Sequence, residues 1–210
     1  MLGAEQSGFI ADMGYDTYQK ILSEAVHELK TDEFSQVYAN GDSQHGSAAA
    51  GADIDYVDEC LVESDLELLL PATYVTGSSE RMLLYRELDN LTTDEEVSQY
   101  RARLEDRFGP VPAETDELLR VVPLRRMAAH LGAEKVFLKG GKMTLFLVSN
   151  PDSPYYQGPM FGSLIDYMMR NTRRCELREK PGDHRRSMSI ANVPTVKEAL
   201  AVVTDILQSK

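Results

Sequence analysis

Two short apolar runs meet at the glycine pair Gly140-Gly141, and this feature constrains the fold more than any other in the sequence. The chain reads KVFLK before the pair and KMTLFLV after it, so both runs have the β-branched and aromatic composition of strands. Consecutive glycines adopt the positive φ angles of a tight hairpin turn without steric cost. The sequence therefore predicts an antiparallel hairpin. RRCELREK and RRSMSIA, separated by PGDH, predict a second and weaker one.

Helical periodicity fills the chain between and around the two hairpins. Before them, CLVESDLELL alternates with period two and predicts a strand that ends at Pro71. This order of elements predicts an α+β domain, in which an antiparallel sheet built from hairpins packs against helices. The predicted helices cover residues 78–91, residues 93–108 with a capping box from Thr93 to Glu96, residues 113–131 with a kink at Pro123, residues 159–170, and the last segment, which Thr195 caps.

The first 55 residues have a different character from the rest of the chain. Residues 15–30 place Tyr18, Leu22 and Val26 at helical spacing and predict an amphipathic helix. Residues 39–55 are rich in Ala, Gly, Ser and Asp, so they cannot bury enough apolar surface to offset their ordering entropy. The sequence therefore predicts three parts, which are an N-terminal helical appendage over 1–38, a flexible linker over 39–55 and a domain over 56–210.

Charge and composition limit the functions of such a chain. The net charge is −12, and residues 1–70 hold 15 of the 34 acidic residues but only two bases, Lys20 and Lys30. This balance argues against a protein that coats nucleic acid, since such binding depends on Lys and Arg. The sequence has no apolar run that could span a membrane and no signal-peptide pattern, and Cys60 and Cys175 form neither a disulfide framework nor a metal spacing. We therefore expect a cytoplasmic protein.

Patterns that would support catalysis are weak. The segment Gly140-Gly141-Lys142 lacks the upstream glycine and the following Ser or Thr of a phosphate-binding loop, so it is better interpreted as a hairpin turn. Glu63, Asp65 and Glu67 share one face of the predicted first strand, where a solvated face is favoured and a hydrolase site remains open. The four histidines have no partner at metal-ligand spacing. We expect the chain to have no cofactor, no metal and no enzymatic activity of its own.

Two charged segments are candidates for binding partners. Residues 170–186 contain clustered Arg and Lys residues that Glu176, Glu179 and Asp183 interrupt, so a charge-paired hairpin and a nucleic-acid-binding module both remain open. The helix over 93–108 has a polar face that suits either solvent or a docked protein. The residues of this face that align opposite the apolar stripe are Glu96, Gln99, Arg103 and Asp106, with Arg107 beside them.

The same helix lies in a stretch that resembles one protein family. The stretch combines a helix that contains LLYREL, a short turn with an acidic cap, and a helix that closes on DRFGPVP. These features, and the LRRMAAHLGAEKVFL that follows them, resemble the C-terminal domain of the transcription-repair coupling factors. Near the N-terminus, LGAEQSGFI resembles the segment that leaves the second motor lobe in RecG-like DNA translocases, with Gln6 as a remnant of their translocation motif.

The resemblance implies a function for a full-length family member. Such a protein is an ATP-driven translocase on double-stranded DNA that displaces stalled RNA polymerase and recruits the UvrA protein in nucleotide excision repair. Its C-terminal domain masks the UvrA-binding module of the same protein until the motor engages. For this chain, which lacks Walker motifs, the resemblance implies a regulatory interaction domain without ATPase activity.

The resemblance also assigns the contact with the UvrA-binding module to three residues. It falls on Asp106 and Arg107, with Arg103 one turn earlier. The sequence departs from the family pattern at Arg103, where a carboxylate is expected. From the helical spacing, all three side chains should project away from the apolar stripe and be free to exchange partners without disturbing the core.

Overall fold

The computed structural model describes residues 56–180 and 185–208, together with Gly14, Tyr18 and Gly182. The predicted linker over 39–55 and Gln6 lie outside the described residues. Within the two ranges, a short 3₁₀ helix covers Pro154–Gln157. The strands are β1 (Leu61–Ser64), β2 (Ala133–Lys139), β3 (Lys142–Leu147), β4 (Cys175–Glu179) and β5 (Arg186–Ala191), and the α-helices are α1 (Ser78–Asp89), α2 (Asp94–Phe108), α3 (Ala113–Leu119), α4 (Val121–His130), α5 (Pro159–Arg170) and α6 (Val196–Gln208).

The strands form one mixed sheet in the order β1-β2-β3-β5-β4. The two predicted hairpins are present, and Gly140 and Gly141 make the turn of the first one with φ angles of 57° and 70°. Strand β3 also pairs antiparallel with β5, which joins the hairpins into a single sheet. Strand β1 pairs with β2 in the parallel direction, so only this edge departs from the antiparallel pattern. The predicted α+β class is confirmed.

The first strand is shorter than the alternating sequence predicts. It ends at Ser64, whose side-chain oxygen accepts a hydrogen bond from the backbone N–H of Leu66 at 3.0 Å. This side-chain bond turns the backbone away from the ladder, as serine often does. The backbone N–H of Asp65 still donates to the carbonyl of Leu138 at 3.0 Å. The prediction of a strand that continues to Pro71 was therefore wrong.

The third predicted helix, over 113–131, is divided into two. Helix α3 ends at Leu119 and α4 begins at Val121, with Arg120 between them. Pro123 lies in the first turn of α4, where the backbone N–H groups have no partner within the helix, so the absent N–H costs nothing. The proline therefore marks a helix start, whereas the sequence predicted a kink inside one long helix.

The core lies between one face of the sheet and the helices α4, α5 and α6. Helix α4 packs against both β2 and α6, and α5 packs against α6. Burial of each large aliphatic side chain in this layer contributes about 1.5–3 kcal/mol. The sheet and the helices fill the layer with residues that are at most 2% exposed, among them Val136, Leu138, Met143, Leu145, Met188, Ile190, Leu124, Ala128, Leu164, Val203 and Ile206.

Helix α3 is joined to the start of α6 by a side-chain cap. The Oε2 atom of Glu117 accepts hydrogen bonds from the backbone N–H groups of Val196 at 2.6 Å and Lys197 at 3.2 Å. A carboxylate is favourable at this position because the N-terminus of a helix carries partial positive charge. Thr195 adds the predicted cap, since its Oγ1 accepts the N–H of Glu198 at 3.1 Å.

Tyr18 shows that the predicted N-terminal appendage contacts the domain. Tyr18 lies in a helix and is 6% exposed, and its ring stacks on that of Tyr85 in α1 with centroids 5.7 Å apart. Its backbone N–H donates to the carbonyl of Gly14 at 3.1 Å.

Within the described part of the chain, no helix is long and apolar enough to cross a membrane.

Candidate functional site

Helix α2, which carries the three residues assigned by resemblance, begins at the predicted capping box. The side chain of Thr93 accepts the backbone N–H of Glu96 at 3.2 Å. In return, the carboxylate of Glu96 accepts the backbone N–H groups of Thr93 at 3.0 Å and Thr92 at 2.8 Å. These backbone hydrogen bonds lower the pKa of the Glu96 carboxyl, because they stabilise its ionised form. The cap fixes where the helix starts.

The DRFG sequence fixes where α2 ends. Gly109 has φ 88° and ψ −165°, a backbone conformation that essentially only glycine adopts. The hydroxyl of Tyr74 lies 3.0 Å from the carbonyl oxygen of Leu104 and 2.9 Å from that of Gly109, so it satisfies carbonyls at the helix end. The ring of Phe108 packs edge-on against Tyr74 with centroids 5.7 Å apart. The phenylalanine and glycine of this motif therefore have structural roles.

Only one narrow face of α2 is buried. Tyr100 and Leu104 are its two buried residues, each 1% exposed. The Tyr100 hydroxyl donates to the carbonyl of Leu84 at 2.9 Å and so ties α2 to α1. Most of the remaining side chains of the helix are exposed. The helix is therefore a rigid element at the surface, which is a suitable arrangement for docking a partner.

Two of the assigned residues, Arg103 and Arg107, lie on the flank of α2 that faces α1. Arg103 forms an ion pair with Glu87, and Arg107 forms one with Glu80 at 2.5 Å. Each guanidinium also lies over an aromatic ring of its own helix, with Arg103 at 5.5 Å from the centroid of Tyr100. Both arginines remain more than half exposed, so these pairs contribute little to stability. The effect of the two ion pairs is to neutralise the charges of Arg103 and Arg107.

The opposite flank of α2 is tied to α3 by a second ionic network. Arg101 bonds to Asp116 at 3.0 Å and to Glu105 at 3.0 Å, and Arg120 bonds to Asp116 at 2.7 Å. Burial raises the pKa of Asp116, but the hydrogen bonds from Arg101 and Arg120 outweigh burial and hold that pKa below its usual range. A groove of about 350 Å³ follows this network between the helices.

These depressed pKa values predict loss of stability in acid. A carboxyl whose pKa is lower in the folded than in the unfolded state stabilises the fold above its unfolded pKa, and this contribution disappears as pH falls through the folded value. We expect the urea concentration at the unfolding midpoint to decrease once the pH is lowered below about 4, the ordinary pKa range of carboxyl groups. Asp116→Asn should lower the midpoint at neutral pH and make the fall in acid smaller. An identical pH profile for the variant and the wild type would contradict this role of Asp116.

Asp106, the third assigned residue, differs from the two arginines. It lies on the outer ridge of α2 together with Glu95, Gln99 and Ala102, all of them exposed. Among the described residues, it has no ion-pair partner within 4 Å. The groove between α1 and α2 has a volume of only about 40 Å³, far below the 300–1,000 Å³ of typical small-molecule sites. Asp106 does not line this groove and lies on the exposed ridge beside it.

Other sequence candidates are placed apart from each other. Glu63 forms an ion pair with Lys135 at 2.7 Å, whereas Asp65 accepts the backbone N–H of Gly140 at 2.9 Å. The first carboxylate thus pairs across the sheet and the second supports the hairpin turn. Within the ranges 56–180 and 185–208, no group of three His, Cys, Asp or Glu side chains is arranged to hold a metal ion. Asp65 and Glu67 lie beyond the end of β1, and both are exposed.

The basic hairpin β4–β5 is partly neutralised by its own acids. Arg178 pairs with Glu176 at 2.8 Å, and Arg186 pairs with Glu179 at 3.2 Å. The guanidinium of Arg186 also lies over the ring of Tyr156 at 4.3 Å from its centroid. These contacts match the charge-paired hairpin that the sequence left open.

The acidic partners on α1 were not identified from the sequence. Glu80 and Glu87 are two helical turns apart in α1, and they meet Arg107 and Arg103 in reverse order because the helices run antiparallel. Their spacing of seven residues was the available signal, since it places both on one side of a helix. The spacing does not show that α1 packs against α2, so it could not identify Arg103 and Arg107 as the partners of these glutamates.

The elements described above form an α+β fold, and comparisons with known proteins show what this fold is similar to. The family model described as the TRCF domain matches residues 64–157 of the 210 residues. The chain is related to transcription-repair-coupling factors. It is 29% identical over 147 residues to that of Staphylococcus epidermidis, covering 70% of this chain and 11% of the relative. The factor of Rickettsia prowazekii is 28% identical over 136 residues, covering 65% and 10%.

A solved structure supports the same assignment at the level of the fold. The structure described as the C-terminal domain of transcription-repair coupling factor superposes with a TM-score of 0.53 at 16% sequence identity. The match covers 72% of this chain and 95% of the solved chain. The resemblance predicted from the LLYREL and DRFG patterns is confirmed. The aligned part spans only about a tenth of the curated relatives.

Proposed function

We propose that this chain is the regulatory interaction domain of a DNA translocase that couples transcription to nucleotide excision repair. In this proposal, the surface of α2 around Asp106 docks on the UvrA-binding module of the same protein and masks it in the resting state. ATP, double-stranded DNA and RNA polymerase are bound by other parts of a protein of the relatives' size, and UvrA is affected only indirectly. The observation that carries the proposal is the exposed carboxylate of Asp106 on a helix fixed at both ends.

The ion pairs of α2 give the docking surface its charge. Arg103 and Arg107 are neutralised by Glu87 and Glu80, so Asp106 contributes the charge that remains uncompensated at this point. The arginine at position 103, where a carboxylate was expected, therefore does not make the surface basic. We infer that the partner places a cation, most suitably an arginine, against Asp106.

The rigidity of α2 supports a docking role in energetic terms. Its first turn is fixed by the Thr93 cap and its last turn by Tyr74 and Gly109. A surface that is already ordered loses little conformational entropy on binding, so more of the contact energy appears as affinity. Asp106 can exchange water for a partner without any change in the core, because its side chain is exposed.

The test is a calorimetric titration of the chain with the UvrA-binding module of the same organism, supplied as a separate polypeptide. Wild type should bind, and Asp106→Arg should weaken binding by about 2–5 kcal/mol, at least about thirtyfold in Kd, because a charge pair becomes a repulsion. The stability of the variant should stay within about 0.5 kcal/mol of wild type, since Asp106 is exposed.

Asp166→Arg is the matched control, because Asp166 is an exposed aspartate on α5. It should leave the affinity unchanged. Equal affinities for wild type and Asp106→Arg at equal stability would remove Asp106 from the docking surface. Absence of any binding by the wild-type chain would overturn the proposed function itself.

A further inference from the structure

In the part of the chain that the structure describes, the face of the sheet opposite the helices is open, with Leu61 and Phe146 exposed on it, and it carries an unusual set of side chains. Alternate residues of each strand point to this face, because their neighbours Val136, Leu145 and Ile190 are buried on the helix side. In an ordinary antiparallel sheet such a face is polar. Here the open face carries Leu61, Glu63, Lys135, Phe137, Lys139, Lys142, Thr144, Phe146, Glu176, Arg178, Ser187 and Ser189.

Two phenylalanine rings occupy the centre of this face. Phe137 is on β2 and Phe146 on β3, the second and third strands of the sheet. Phe137 is paired in register with Thr144, so the two rings are diagonal neighbours, a separation of about 7–8 Å between backbones. Phe146 is 38% exposed, although a phenylalanine is normally placed in the core. The half-buried ring of Phe137 and the exposed ring of Phe146 form an aromatic platform.

Lysines surround the two rings. The ammonium of Lys135 lies 5.7 Å from the centroid of Phe137 and 5.9 Å from that of Phe146, so it is placed between them. Lys139 lies 6.0 Å from the centroid of Phe137. Lys139 and Lys142 are directly opposite each other across the hairpin. Like charges in this position destabilise a sheet, and an anion bound between them would remove that cost.

The carboxylates near the open face leave it a positive balance. Glu63 is paired with Lys135 and Glu176 with Arg178, so the remaining charge comes from Lys139 and from Lys142, which lies near enough to Glu176 to help lower the pKa of that carboxyl. Asp65, which accepts the N–H of Gly140 at the same turn, offsets part of it. A basic face on a chain of net charge −12 is a local feature and indicates an anionic ligand.

We propose that the open face binds a single strand of nucleic acid, with two bases stacked on Phe137 and Phe146 and the backbone phosphates held by Lys139 and Lys142. Protein sheets that bind single-stranded nucleic acid carry aromatic rings interleaved with cations. The rings stack on the flat surfaces of the bases, and the cations bind the negatively charged phosphate linkages. The hydroxyls of Thr144 and Ser189, which lie 3.1 Å apart, add polar groups beside the rings.

A protein partner fits this face less well. The cores of protein interfaces are depleted in charged residues and in lysine particularly, whereas here lysines stand directly beside the aromatic rings. A double helix also fits less well, since its bases are already stacked on each other. The site uses no residue of α2, so the proposal does not depend on the docking surface around Asp106.

The experiment measures fluorescence anisotropy of labelled oligomers of about ten nucleotides, the scale of single-strand sites, titrated with the full chain at low salt. Oligo-dT, oligo-rU and a duplex of the same length are the probes. The double variant Phe137→Leu/Phe146→Leu keeps apolar side chains but removes the rings, and it should weaken single-strand binding about tenfold per ring. Phe146→Leu alone, at an exposed position, gives a variant whose folding is not in question.

Two controls separate stacking from general effects. Met169→Ala removes an exposed apolar side chain from α5, away from the sheet, and should leave binding unchanged. Lys139→Gln/Lys142→Gln should weaken binding and reduce its salt dependence by about one or two counterions. The proposal is supported if either single strand binds more tightly than the duplex and if the ring variants lose this binding at an unchanged melting temperature. Absence of binding to both single strands, or binding that is equal in wild type and in the ring variants, would overturn it, and absence would favour a protein partner for this face.

Discussion

Replacing Gly132 with alanine should lower the free energy of unfolding by about 2–5 kcal/mol, through backbone strain and overpacking together. Gly132 joins α4 to β2 with φ 87°, a conformation that an L side chain rarely adopts. An added Cβ would lie 2.2 Å from the Cε2 atom of Tyr155. The ring of Tyr155 cannot retreat easily, because it is fully buried and its hydroxyl donates to the carbonyl of Leu131 at 2.9 Å.

Gly140→Ala is the matched control in the same urea-denaturation experiment. Gly140 also has a positive φ, 57°, but no atom lies within 4 Å of the position of an added Cβ. Gly140→Ala should therefore lower the free energy of unfolding only through backbone strain, by about 1–2 kcal/mol. If Gly132→Ala cost no more than Gly140→Ala, the close approach of the Tyr155 ring would not be what requires a glycine at position 132.

Replacing Tyr100 with alanine should cost about 3–5 kcal/mol, the range for removing a large buried aromatic side chain. Tyr100 is 1% exposed and is one of the two buried residues that attach α2. Tyr100→Phe keeps the ring and removes only the hydrogen bond to Leu84, so it should cost about 0.5–1.5 kcal/mol. Urea denaturation of both variants separates packing from hydrogen bonding.

The surface residue Gln99 provides the reference for the Tyr100 variants. Gln99→Ala, one position earlier on the exposed ridge of α2, should change stability by less than about 0.5 kcal/mol. A loss of less than about 1 kcal/mol for Tyr100→Ala would show that α2 is not held by this residue. The rigidity assumed for the docking surface would then lack its main support.

Local chemistry explains why several elements could be predicted from the sequence. The turn at Gly140-Gly141, the cap at Thr93 and the helix that begins at Pro159 each depend on residues within a few positions of one another. The parallel pairing of Leu61 with Lys135 depends on segments far apart in sequence, and nothing in either segment specifies its partner. The early end of β1 followed from a single side-chain hydrogen bond at Ser64, which competes with the strand pattern.

The candidate site was predictable in position but not in electrostatics. The DRFG motif and helical spacing located Asp106 and the two arginines on the polar face of α2. Whether an arginine there is available to a partner depends on the neighbouring helix, and α1 supplies Glu80 and Glu87. The aromatic platform was also missed, because the alternation of the first hairpin shows which residues share a face but not which face the helices cover.

The most direct test of the account is a competition experiment with UvrA. The UvrA-binding module is immobilised, UvrA is held at a fixed concentration, and the chain is added in increasing amounts while UvrA binding is recorded. We expect wild type and Asp166→Arg to reduce UvrA binding progressively. Asp106→Arg should do so only at much higher concentration, in line with the at least thirtyfold weaker affinity expected from a reversed charge pair. Undiminished UvrA binding at saturating wild-type chain would contradict the proposal that this domain masks the module.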